Sequence, residues 1–294
     1  MKKDERAEKF ASCYQLLGIS EKKQYSRRVD LLIIGSDEVF NCLQVHPQVG
    51  YCLELFGKNQ KARRIISYAA SFGSTTLEKL EYYGVTEEVR KYLKKFNAIS
   101  IRDKNSRLII NSLCGINAEE HLDPVLVGDL ERQPWKEIQM SNYVLVYGYK
   151  GRFTKEEGVA IQKYAHDRNL ITISLGEEQE FCDEIIICSP DEVLSYFKNA
   201  ECVVTDTFHG TIFSVINHKD VAVFCRSVDA RKSTNEEKLL DLMSKLKLED
   251  RVVKQVSEVG NILDTPIDFS YIDKFRERER ERTIRYLKMH CKGN

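Results

Sequence analysis

The stretch Glu201-Cys-Val-Val-Thr-Asp-Thr-Phe-His-Gly-Thr-Ile-Phe-Ser-Val-Ile-Asn217 passes from an apolar, β-branched run through a short polar turn into an amphipathic run. That order predicts a buried strand, a tight turn and a helix. Where residues 207 to 211 enter the helix, N–H groups without intrahelical acceptors and the positive end of the helix dipole favour an anion. Thr207, Gly210 and Thr211 are the candidate contacts, Gly210 because a ligand can approach its backbone closely. His209 adds a titratable proton at the same place, so the chemistry on offer is acid-base work on a bound anion. The pattern equally suits an ordinary strand-turn-helix junction carrying a polar histidine.

Ligands of parallel sheets bind beyond the carboxyl ends of the strands, which singles out the polar residues that follow other apolar runs. Ile33-Ile-Gly-Ser-Asp-Glu-Val-Phe-Asn41 offers Gly35, Ser36 and Asp37, a small-residue turn suited to a polyhydroxyl ligand, although Ser36 or Asp37 would also serve as a helix N-cap. Ser67-Tyr-Ala-Ala-Ser-Phe-Gly-Ser74 clusters hydroxyls around Ser71. Arg102 ends the run that starts at Ile99; its planar fork suits a carboxylate or phosphate, or an ion pair with a nearby acid. Asp123 precedes Pro124 in a turn that needs no chemistry to explain it. In Cys225-Arg-Ser-Val-Asp-Ala-Arg-Lys-Ser-Thr234, Arg231 or Lys232 is expected to close over the anion of the His209 turn. His121, His166, His218 and His290 read as ordinary surface or capping residues.

The elements that must position these groups follow from periodicity. Strands are predicted over 29–35, 64–70, 98–102, 143–149, 170–175, 184–188, 202–206 and 221–225. Helices are predicted over 76–95, 104–113, 154–168, 190–199, 208–217 and 235–247, the fourth opening on Ser189 as N-cap with Pro190 in its first turn. Such alternation signals βαβ units and parallel sheets covered on both faces. The rhythm breaks between Gly128 and Asn142, which predicts two Rossmann-like halves. A last helix over 269–288 carries Phe269, Ile272, Phe275, Ile284 and Leu287 on one stripe. Its Arg276-Glu-Arg-Glu-Arg-Glu-Arg282 run reads as a solvated face of alternating sign.

Composition bounds the function. The 294 residues are 42% hydrophobic and 31% charged, as in a globular chain with a full core. Lys plus Arg (45) balances Asp plus Glu (45), so no overall field draws nucleic acid and an anion site must be built locally. The nine cysteines contain no C-x-x-C pair and sit mostly in apolar runs, as reduced core residues of a cytoplasmic protein would. No metal-ligand cluster and no apolar run long enough to span a membrane is visible, which leaves acid-base and electrostatic chemistry.

Taken together, Gly35-Ser-Asp-Glu-Val-Phe-Asn41, Ser67-Tyr-Ala-Ala-Ser-Phe-Gly73, Ser100-Ile-Arg-Asp103, Asp123-Pro-Val125 and Thr205-Asp-Thr-Phe-His-Gly-Thr211 resemble, in order and spacing, the polysaccharide pyruvyl transferase family. The resemblance implies an α/β, GT-B-like fold: two Rossmann-like domains with parallel sheets around a cleft and a C-terminal crossing helix. It implies residues 1–135 as the acceptor-side domain, 136–265 as the donor-side domain and 266–294 as the helix packing back. Phosphoenolpyruvate is the implied co-substrate, with no other cofactor, and the implied acceptor is a sugar of a cell-surface or exopolysaccharide glycan. Position by position, the catalytic histidine falls on His209, the donor-binding arginine on Arg102, and the cation after the last strand on Arg231 or Lys232. Thr207, Gly210 and Thr211 fall on the donor side; Gly35, Ser36, Asp37, Asn41 and Ser71 fall on the acceptor side. Members carry Gln and Trp where this chain has Glu38 and Phe40, and Ser where it has Thr207. They also begin with a strand and a Gly-rich loop that is not found ahead of Val29, so the first βα unit is expected to be missing. A cytoplasmic location is expected, and a lipid-linked acceptor would bring the protein to the inner face of the membrane as a peripheral partner. Two rival readings are a GT-B glycosyltransferase that holds a nucleotide sugar at the same turn, and a noncatalytic relative that binds glycan.

Overall fold

The structure, a computed structural model, describes residues 2–19, 28–44, 50–225 and 234–291. Arg231 and Lys232 lie outside the described residues. In chain order the elements are α1 (Lys2–Leu16), β1 (Leu31–Gly35), β2 (Arg64–Tyr68), α2 (Leu77–Tyr82), α3 (Thr86–Leu93), β3 (Ser100–Ile101), α4 (Lys104–Cys114), β4 (Glu119–Glu120), α5 (Pro124–Val127), β5 (Tyr143–Tyr147), α6 (Lys155–His166), β6 (Ile171–Leu175), β7 (Glu184–Ile186), α7 (Val193–Asn199), β8 (Cys202–Thr205), α8 (Phe208–Ile216), β9 (Val221–Val223), α9 (Thr234–Leu246), α10 (Val259–Asp264) and α11 (Ser270–Cys291). Contacts gather the described residues into two compact units, one holding 28–128, 234–235 and 276–291, the other holding 2–19, 129–225 and 236–275.

In the first unit β1 pairs in parallel with β2, and β3 with β4. Parallel bridges from Ile66 to Ala98 and from Ala70 to Ile101 join β2 to the chain around β3. Phe40, Phe56 and Phe72 fill the core without exposure, Phe40 stacked on Phe56 at 4.7 Å. Gly35 ends β1 at φ 145°, where a Cβ would stand 1.9 Å from the Tyr68 carbonyl oxygen of the neighbouring strand. Only glycine fits that approach.

In the second unit a five-stranded parallel sheet runs β7-β6-β5-β8-β9. Numbered by appearance within the unit this is 3-2-1-4-5, the order of a Rossmann sheet, with its topological switch point between β5 and β8. Val144, Leu145, Val146, Val203, Val204, Ala222 and Val223 are wholly buried. Strands covered on both faces need such continuous apolar runs.

The helices depart from the sequence expectations in several places. The helix expected over 76–95 is two, because Gly84 turns the chain at φ 65° between α2 and α3; a left-handed glycine ends a helix. The helix expected from Pro190 begins at Val193, since Ser189 donates its backbone N–H and hydroxyl to Glu192 Oε2 in a turn instead of capping. A helix, α1, precedes β1, where the mixed polar run gave no periodicity.

The charged tail is not solvated all round. Arg276 is 6% exposed and donates Nε to the Leu126 carbonyl, while Arg280 donates Nε to the Val127 and Nη2 to the Gly128 carbonyl. A helix as short as α5 has few carbonyls bonded within itself, and two arginines one turn apart on α11 supply the donors.

Candidate functional site

The switch point of the second sheet holds the His209 turn. Thr205 ends β8 with its hydroxyl on the Tyr147 carbonyl at 2.6 Å, tying β8 to the end of β5. Its Oγ1 also accepts the Thr207 N–H, and Thr207 then caps α8 by accepting the Gly210 N–H at 2.9 Å. Thr211 returns its hydroxyl to the Thr207 carbonyl. Ile212, Val215 and Ile216 bury the inner face of α8 and hold the turn at the sheet edge. His209 is half-buried in the first turn of α8, its ring edge-on to Phe208 at 5.4 Å and 6.1 Å from Phe213.

These contacts recast the expected role of Gly210. Its N–H is engaged by the cap, and a Cβ there would stand 2.1 Å from Thr205 Oγ1. Close packing of helix on strand by itself requires a glycine here. Thr211, buried without exposure, likewise serves the turn through its hydroxyl.

The loop after β5 meets this turn and was not singled out in the sequence. Asp206 Oδ1 accepts the Tyr149 N–H at 3.3 Å, and Arg152 Nη1 stands 3.4 Å from Asp206 Oδ2. Gln179, 3% exposed, donates to the Gly148 and Tyr149 carbonyls and fixes the loop. The Arg152 guanidinium lies 5.0 Å from the Tyr149 ring centroid, within cation–π range. A partly exposed arginine thus stands beside Asp206, one residue before the Thr207 cap. The edge rule that pointed to Arg102 would have found Arg152 had it been applied to the strand at 143–149.

Arg102 belongs to the first unit, at the end of β3. Its Nη1 donates to Asp123 Oδ2 at 2.6 Å and its Nη2 to Asp37 Oδ1 at 3.0 Å. The guanidinium is 7% exposed; the Asp123 side chain is 2% exposed and that of Asp37 67%. One partner is therefore interior and the other faces solvent. Asp123 also caps α5 by accepting the Val125 N–H, so the X-Pro turn and the ion pair are one device.

No helix begins at Ser36 or Asp37; residues 36–40 form a turn in which Asp37 adopts φ 56°. Ser71 donates its hydroxyl to Asp103 Oδ2 at 2.5 Å, and the Asn41 amide bridges Glu38 and Thr75. Gly35, Ser36, Asp37, Asn41, Ser71 and Arg102 accordingly lie on one edge of the first unit's strands, and Thr207, His209, Gly210 and Thr211 on one edge of the second unit's sheet.

His121, read as a surface residue, is 1% exposed. Its Nδ1 shares a hydrogen with Ser100 Oγ at 2.8 Å, and its ring lies 4.7 Å from Tyr286 and 5.8 Å from Tyr68. Burial first, and the Arg282 charge second, press its pKa below the ordinary histidine value, against smaller opposing pulls from Glu119 and Glu279. Burial lifts the thiols of Cys42, Cys182 and Cys202 to about 12, which removes them as nucleophiles at neutral pH. Among the described residues no group of three or more His, Cys, Asp and Glu is placed to hold a metal ion, and no helix is long and apolar enough to cross a membrane.

Fold and topology define an α/β protein with parallel sheets, one of them in Rossmann order, and a long C-terminal helix. The chain belongs to the polysaccharide pyruvyl transferase family, whose profile matches residues 5–224. No curated protein sequence matches it. Among solved structures, the α,α-trehalose-phosphate synthase (UDP-forming) of Burkholderia xenovorans is similar at 8% identity and TM-score 0.41, over 80% of this chain and 69% of that one. The wall teichoic acid polymerase TagF is similar at 9% identity and TM-score 0.37, over 93% of each chain. The O-GlcNAc transferase of Thermobaculum terrenum is similar at 12% identity and TM-score 0.36, over 90% of this chain and 64% of that one. Nothing about substrate follows from likeness at this level.

Proposed function

We propose that the protein transfers the enolpyruvyl group of phosphoenolpyruvate to a sugar of a cell-surface or exopolysaccharide glycan, forming a pyruvate ketal. The observation that carries this is the membership of a pyruvyl transferase family together with His209 on the first turn of a capped helix at the switch point. In the reaction one sugar hydroxyl adds to C2 of the enol phosphate while the methylene carbon takes a proton and becomes a methyl group. A second hydroxyl then displaces phosphate at C2, its proton leaving with the phosphate. His209 donates the proton to the methylene carbon, the step that makes C2 open to attack, and takes up the proton of the attacking hydroxyl in return. The α8 dipole and Arg152 favour the donor's negative charge at that edge, and Arg231 or Lys232 is assigned to the same anion. Arg102 keeps the anion-clamp role expected of it, its guanidinium held by Asp123 and Asp37 within the first unit.

The test is phosphate release from phosphoenolpyruvate on addition of candidate glycans, with the ketal methyl group detected by proton NMR. Phosphate released in step with a new ketal methyl signal supports the reading; glycosyl transfer from a nucleotide sugar without either product contradicts it.

A further inference from the structure

The second unit carries another cavity, of about 290 Å3, among Trp135, Glu137, Ser195, Lys198, Asn199 and Asn217. Its position follows from topology. Residues 131–138 lead towards β5, Asn199 ends α7 just ahead of β8, and Asn217 ends α8 ahead of β9. The cavity therefore sits at the edge where strands begin, while His209 and Arg152 sit where β8 and β5 end.

The lining restricts what can bind. Trp135 already donates its indole N–H to the Leu130 carbonyl at 2.5 Å, so it offers a ligand the apolar face and edge of a fixed ring. The Asn199 amide donates to the Ile138 and Met140 carbonyls, and that of Asn217 to the Phe213 carbonyl. Asn199 spends its NH2 inside the fold and presents its oxygen as an acceptor, whereas Asn217 spends one N–H and presents the other beside its oxygen. Glu137 adds a carboxylate acceptor, while Lys198 and the Ser195 hydroxyl add donors. A phosphate or nucleotide would face the Glu137 carboxylate and two amide oxygens, which oppose its negative charge. An acyl chain would leave those polar groups unpaired. A neutral polyol with one flat C–H face satisfies both the ring and the acceptors, and the volume lies at the lower end of small-ligand sites, fitting one or two sugar rings.

We infer that this cavity is a carbohydrate-binding subsite, separate from the His209 edge, that takes a neutral sugar residue. It holds a glycan without reacting with it and would lengthen the stay of a polymeric acceptor by adding a second point of attachment.

Trp135 is the chain's single tryptophan, so its emission reports on this cavity alone. The experiment titrates the whole chain with glucose, galactose, N-acetylglucosamine and their β-linked disaccharides and follows that emission, with calorimetry alongside. A saturable change at millimolar sugar is expected. Glu137→Ala and Lys198→Ala should weaken it about ten-fold, the loss of one charge-assisted hydrogen bond, with thermal midpoints unchanged because both residues are exposed. His209→Ala should bind as the parent does. No saturable response to any of the sugars, a response unaltered in both lining variants, or one abolished by His209→Ala would overturn the inference. Phosphoenolpyruvate binding takes no part in this readout, so the subsite and the proposed donor chemistry fail separately.

Discussion

At the scale of single residues, the proposed chemistry rests on His209, and the capped turn around it sets its position. Replacing it with Ala is expected to lower turnover by ~10²-fold or more while phosphoenolpyruvate still binds, the loss typical of a missing general acid. Steady-state phosphate release and calorimetry on the same variant separate the two effects. The Arg102–Asp123 pair is buried on both sides, and Asp123→Ala removes the interior partner of that guanidinium and leaves the solvent-facing Asp37 in place. That change is expected to destabilise the protein by about 3 kcal/mol, the cost of breaking a buried pair, whereas Asp37→Ala should cost under ~1 kcal/mol. Urea denaturation of the two variants decides between an interior anchor and a merely local pair. The places of Arg102 at a strand end and of His209 just inside the helix after a strand were legible in the sequence, because an apolar run precedes each. His121 was not, because nothing local marks a histidine whose neighbours, Tyr68 and Tyr286, lie far away along the chain.

The element on which the proposed chemistry depends is the β8–α8 junction. Thr207 supplies the only oxygen that caps the Gly210 N–H among the described residues, so Thr207→Ala should cost ~1 kcal/mol of stability and Thr207→Ser very little. Gly210→Ala brings a methyl group onto Thr205 Oγ1 and should cost ~1 to 3 kcal/mol by overpacking, although alanine favours helix more than glycine does. A rise in thermal midpoint for that variant would show that the close approach is not constraining. Strand positions were readable because covered parallel strands are nearly all apolar, whereas their ends ran shorter than the apolar runs. The 76–95 helix misled because its apolar spacing continues across Gly84, and only the left-handed turn there shows two helices. Alternating charge hid the anchoring of α11: Arg276 and Arg280 face inward, while Arg278 and Arg282 stay exposed.

For the whole molecule, the α/β class, parallel sheets and long final helix were legible from alternation of periods, and the family from motif order. The Rossmann strand order of the second unit was not, since pairing between β5 and β8 joins segments far apart in sequence. Stability should also depend on pH through His121. Because its folded pKa is depressed, the unfolded chain takes up a proton first as pH falls below ~6.5. Stability should therefore decline with acidification from that point until the folded form is itself protonated, and be unaffected by this group above it. Comparing denaturation midpoints at pH 7.5 and 5.5 for the parent and His121→Gln should show a smaller acid loss in the variant.

The central claim, a phosphoenolpyruvate donor at the His209 edge, is tested most directly by calorimetric titration of the protein with phosphoenolpyruvate, uridine diphosphate serving as competitor. Micromolar to millimolar binding that persists in His209→Ala, weakens in Arg152→Ala and resists uridine diphosphate is the predicted result. Uridine diphosphate binding in place of phosphoenolpyruvate would contradict the account and point to a nucleotide-sugar enzyme.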